Sequence, residues 1–137
     1  MKPGFRIWPH TSEMGLEVAA PKWASFYRSA AEGLLALYGL RPGRRGTSKV
    51  SRWFKAESPE DVLVAWLTEL IFLVGTKRLL ISRIEVLKAG PKELRVRVHG
   101  QPARGLPLDR EIKAVTYHGL KVASGRSGLK ARIILDV

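Results

Sequence analysis

Apolar positions change their period along the chain, and each change marks an element. Residues 4–10 and 15–20 carry short apolar runs around a polar turn, which predicts two strands, and Pro21 punctuates before a helix. That helix, over 22–38, sets Trp23, Tyr27, Ala30, Leu34 and Leu37 on one face, with Gly39 suited to the C′ position. A Gly/basic loop, RPGRRGTSK, and a strand over 49–56 follow. ESPEDVLVAWLTELIFLVG then gives the clearest local signal. Ser58 can cap, Pro59 fits the first helical position, and Asp61 places a carboxylate where a capping box and the helix dipole both favour it. Leu63, Trp66, Leu67, Leu70, Leu73 and Val74 form the buried stripe, and Gly75 is expected to end the helix.

Beyond Gly75 the period falls to two. LLISRIEVL reads as a strand, AGPK as a turn, and ELRVRVHG as a strand with Leu94, Val96 and Val98 inward and Arg95, Arg97 and His99 on the other face. A Pro/Gly loop, QPARGLP, precedes REIKAVTYHGLKV, which reads as mainly extended; SGRSG makes a hairpin turn into the last strand, LKARIILDV. Runs of strands with two substantial helices predict an α+β fold: one domain over 1–137, an antiparallel or mixed sheet with two main helices packed on it.

With 137 residues the chain can bury a proper core unaided, and with no cysteine it can hold neither a disulfide nor a thiolate metal site. The N-terminus has no apolar leader segment, and Thr68 and Glu69 break the longest apolar stretch. A soluble, cytoplasmic protein with no membrane partner is expected. The formal charge is +12, from 24 Lys and Arg against 12 Asp and Glu. Arg41 to Lys55 holds six basic residues and no acid, and Lys121 to Arg132 holds four. Such fields attract polyanions, although a solvated basic surface would look the same. The candidate RNA or tRNA contacts are Arg41, Arg44, Arg45, Lys49 and Arg52, together with the Arg95, Arg97 and His99 face. Trp53 and Phe54 could stack bases or be buried.

There is no P-loop, GxGxxG, HExxH or nucleophile–histidine–acid order, so standard enzyme chemistry has no visible carrier. Three stretches concentrate other chemistry. WPHTSEMGLEV places His10, Thr11, Ser12 and Glu13 together, which taken alone is ordinary turn composition. IILDV ends an apolar strand on Asp136 and the main-chain carboxylate of Val137, hard-cation ligands if a further acid such as Glu13 lies beside them. KAVTYH puts Lys113, Thr116, Tyr117 and His118 in one strand-like run, where sheet-edge propensity is the plainer explanation.

In this order these blocks resemble the archease family. PHTSEMGLEV is similar to its opening His-Thr-Ala-Asp-Ile-Gly signature, SPEDVLVAWLTELIFLV to its second helix, EIKAVTYHGLKV to its most specific block and LDV to its terminal strand. The resemblance runs from residue 8 to 137. It implies a non-catalytic protein that activates an RtcB-type RNA-splicing ligase in tRNA splicing and RNA repair, promoting ligase guanylation and multiple turnover. It also implies a divalent-metal site, calcium foremost. Carried over, the metal ligands fall on Glu13, which stands where the family usually has aspartate, and on Asp136, with the carboxylate of Val137 as a further candidate. His10 would support the site, and Lys113, with Tyr117 and His118 in the same block, would belong to the functional surface. The alternative is a basic RNA- or tRNA-binding module acting without ligase activation.

Overall fold

The computed structural model describes residues 1–9, 12–41 and 46–137. Its elements run β1 (Gly4–Pro9), β2 (Glu13–Ala20), α1 (Trp23–Leu37), β3 (Ser48–Lys55), α2 (Pro59–Ile71), β4 (Leu79–Gly90), β5 (Glu93–Pro102), β6 (Ala114–Thr116), β7 (Ala123–Gly125) and β8 (Gly128–Asp136).

Helix α2 begins as its sequence dictates: Ser58 Oγ accepts the Asp61 N–H at 3.2 Å, Pro59 fills the first turn, and Glu60 and Asp61 face the positive end of the dipole. It does not end at Gly75. A π-helical turn, Phe72–Thr76, carries the chain through that glycine, and the reversal comes at Arg78, whose φ is 54°. The wider turn lets the adjacent Leu73 and Val74 both stay buried. Helix α1 ends as expected, with Gly39 at φ 76° just beyond Tyr38.

The strands make two sheets, not one, and all their pairings are antiparallel. The larger has the order β1-β2-β8-β6, with β7 also on β8; the smaller has the order β3-β5-β4. Ala89 and Gly90, expected in a turn, extend β4, which leaves Pro91 and Lys92 as the tight turn. Between 110 and 122 only Ala114–Thr116 pair as a strand, and a turn at His118–Gly119 follows, closed by Leu120 N–H donating to Tyr117 O at 3.1 Å. Side chains fix the segment: Arg110 Nε donates to Leu37 O at 2.9 Å, Tyr117 Oη to Asp61 Oδ1 at 2.7 Å, and Glu60 Oε2 accepts Val122 N–H at 2.6 Å. The acids that start α2 therefore also clasp the KAVTYHGLKV segment.

Helix α1 packs on β1, β2 and β4, while α2 packs on β3, β5 and β6. One continuous core results. Leu94, Val96 and Val98 point inward and are fully buried, as the period-two pattern predicts. Trp66 joins the helices, its indole N–H donating to Tyr27 O at 2.9 Å. Burial raises the Tyr27 and Tyr38 hydroxyl pKa values, Tyr38 to about 12.

Candidate functional site

Register sets the site. Glu13 and Asp136 are direct cross-strand partners in the β2–β8 ladder, and Ala114 of β6 flanks Asp136 on its other side. The next residues along, Met14 and Leu135, are buried, so by strand alternation the two carboxylates leave the outer face of the sheet together. Directly opposed side chains start about 5 Å apart at Cβ. The adjoining backbone is tied in as well. Lys113 N–H donates to Asp136 O at 2.8 Å and Val137 N–H to Ser12 O at 3.5 Å, which brings Val137 beside the pair.

Like charges directly opposite each other destabilise a ladder unless a cation intervenes. Four residues further along on the same face, Glu17 has its cations, Arg6 at 3.0 Å and Arg132 at 3.7 Å. Among the described residues, Glu13 and Asp136 have none. Nor do three acid or histidine side chains gather there in metal-holding geometry among those residues. The described side chains thus offer two carboxylates, half-buried and open to further oxygens, which suits a hard cation that keeps part of its water.

Beside the acids the outer face carries an aromatic lid. The Trp8 ring lies over Gly15, where an added Cβ would fall inside the indole, and the Arg132 guanidinium stands 4.4 Å from the ring centroid. Gly15→Ala is expected to displace the ring and cost about 1–3 kcal/mol, as overpacking does. Urea denaturation measures the loss, and an unshifted midpoint would contradict this packing.

The remaining candidates divide. His10, Arg44 and Arg45 lie outside the described residues. Lys113 is exposed and lines a groove with Tyr38, Arg78 and Arg110. Tyr117, 55% exposed, is held by Asp61, and that hydrogen bond raises its pKa; His118 is exposed. Arg52 faces the helices and pairs with Glu69 at 3.3 Å. Arg97 at 3.6 Å and His99 at 2.8 Å both meet Glu85, and the histidine bond holds that carboxyl below its ordinary range. Arg41, Lys49 and Arg95 make no ion pair among the described residues. Trp53 is 54% exposed, flanked by Lys55 at 4.2 Å and Arg95 at 5.1 Å from its centroid. The alternation of β3 (Val50, Arg52 and Phe54 toward the helices) could have assigned Trp53 to the outer face from sequence.

Comparison with known proteins agrees across the chain. The model of the Archease protein family (MTH1598/TM1083) matches residues 5–137. The archease of Methanosarcina barkeri is 29% identical over 134 residues, which is 93% of this chain and 92% of that protein. The archease of Methanothermobacter thermautotrophicus is 31% identical over 87 residues, 60% of this chain and 61% of that one. Two solved structures share the fold. The solution structure of Methanobacterium thermoautotrophicum protein 1598 has a TM-score of 0.68 at 21% identity, covering 98% of this chain and 99% of its own. The crystal structure of a Thermotoga maritima archease, described as a possible chaperone, has a TM-score of 0.64 at 22% identity and 93% coverage of each chain.

Proposed function

The chain belongs to the archease family, and from that premise we propose that it is a non-catalytic accessory protein that activates an RtcB-type RNA-splicing ligase in the cytoplasm, through a divalent-metal half-site. The observation that carries this reading is the Glu13–Asp136 pair, opposed in register and without a cation among the described residues, in a protein of net charge +12. A calcium-class ion there would be held by the two carboxylates and a main-chain oxygen of Val137, and would supply positive charge to oxyanions of the ligase or its nucleotide. The protein's own residues do the rest. The β2–β8 ladder holds the carboxylates at fixed separation, the Lys113 N–H bond to Asp136 O braces the strand end, and the exposed Lys113 ammonium offers a point charge to a phosphate or partner carboxylate. Among the described residues, no helix is long and apolar enough to cross a membrane.

The direct test adds catalytic amounts of this protein to the ligase and follows guanylation and turnover, with and without chelator. Faster guanylation that chelation removes is expected. Unchanged rates in both arms would sink the proposal.

A second reading, direct RNA binding, is favoured by one observation: exposed Trp53 between two cations on the outer face of the smaller sheet. Stacking a base there would contribute roughly 1–3 kcal/mol. Trp53→Ala should weaken affinity for single-stranded RNA by about tenfold or more without changing the salt slope, whereas Arg95→Ala should flatten that slope. Equal affinity of wild type and Trp53→Ala would remove this reading.

A further inference from the structure

Three irregularities of the fold converge on one groove of about 690 Å³, bounded by the end of α1, the π-helical turn and the 106–113 segment. The first is Tyr38. Its side chain is buried, yet its hydroxyl has no hydrogen-bond partner among the described residues, although it faces the groove wall at Gly75, where an added Cβ would lie 3.3 Å away. A buried donor left unmade is costly, and because the hydroxyl is closed off from solvent as it stands, a partner entering from the groove has to open the Gly75 wall to reach it. The second is the π-helical turn itself, which contributes Gly75 and Thr76 to the lining. The third is Arg78, the one non-glycine residue with positive φ among the described residues. Left-handed backbone is unfavourable for an arginine and persists where the surroundings hold it.

The groove is also cationic. Arg78 follows the π-helical turn while Arg110 and Lys113 share the 106–113 segment, against one acid, Glu111. Arg110 is positioned rather than mobile: its Nε donates to Leu37 O at 2.9 Å and its Nη1 reaches Met14 Sδ at 3.5 Å. Arg78 Nη1 reaches Leu106 O at 3.4 Å, and Lys113 is braced by its main-chain bond to Asp136.

We infer that this groove is a binding site for a phosphate-bearing small molecule, with the Tyr38 hydroxyl donating to a phosphate oxygen and Arg78, Arg110 and Lys113 neutralising its charge. Guanidinium forks match phosphate oxygens, and the volume lies in the range of small-molecule sites. The groove meets the carboxylate pair at Lys113, whose main chain bonds Asp136, while Tyr38, Arg78 and Arg110 take no part in the ligase reading.

Calorimetric titration of the full chain tests it. The probes are tripolyphosphate, ATP, adenosine, and a trinucleotide with and without a 5′-phosphate. Tripolyphosphate and at least one phosphate ester should bind, whereas adenosine and the unphosphorylated trinucleotide should not. The tighter of ATP and the phosphorylated trinucleotide identifies a free nucleotide or an RNA end as the source. Tyr38→Phe and Arg78→Gly should each weaken binding about tenfold while melting no earlier than wild type, since one loses an unpartnered hydroxyl and the other a strained backbone. Arg126→Ala, on the β7–β8 turn, removes the same charge outside the groove and should change affinity less than about twofold. No phosphate binding, unchanged affinity in both groove variants, or an equal loss in Arg126→Ala would overturn the inference.

Discussion

Asp136→Ala is expected to abolish stimulation of the ligase, by about 10–100-fold or more if metal retention behaves as at other sites, while the protein stays folded. The side chain is half-buried at a strand end, points outward and makes no ion pair among the described residues. Its loss opens no core cavity and relieves the repulsion from Glu13. Unfolding should therefore be unchanged or slightly later. Asp136→Asn should fall with the alanine variant, because its amide keeps the shape and loses the charge. The measurement is the guanylation rate of the ligase beside a thermal melt of each variant. Full stimulation by Asp136→Ala would remove this residue from the site.

The second large effect is on stability. Trp66→Ala should cost about 3–5 kcal/mol, a large share of the roughly 5–15 kcal/mol that holds a domain of this kind together. Trp66 is fully buried, its ring centroid lies 5.9 Å from that of Phe54 on β3, and its N–H bonds to Tyr27 on α1. The melting temperature should fall by roughly 10–20 °C. A urea titration with an unchanged slope and a much lower midpoint confirms the mechanism; a loss below about 1 kcal/mol would mean the cavity closes or the contact is misplaced.

How far the sequence carries can be judged residue by residue. Helix α2 was legible because capping, proline placement and a period of 3.6 all speak at once, and β5 because Leu94, Val96 and Val98 alternate cleanly with polar neighbours. The end of α2 was not, since Gly75 is a stop signal only in an α-helical turn; the π-helical turn depends on burying Leu73 and Val74 against the rest of the core. The segment 110–122 misled because strand propensity in KAVTYH exists without a partner for most of its length, and bonds to Asp61, Glu60 and Leu37 supply what a ladder would. Division into two sheets was equally invisible, because period two tells which face is buried and not which strand lies next door. For the site, the sequence and the family resemblance set Glu13 with Asp136 as ligands, but not the geometry that opposes them. Only the β2–β8 register sets Glu13 against Asp136. Groove residues Tyr38 and Arg78 left no signal: one reads as a core aromatic and the other as a surface cation.

In the larger sheet, β8 follows every other strand in sequence yet lies between β2 and β6 and also receives β7. The β1–β2 hairpin can form early, but its open edge stays unsatisfied until the last strand arrives. The carboxylate pair comes into being with that arrival, so the site exists only in chains that have finished folding. A slip of one residue in β8 would turn Asp136 to the opposite face. Under the proposed ligase reading, recognition through Glu13 and Asp136 would thus proofread the fold that presents it, and a misregistered chain would be rejected without any separate checkpoint.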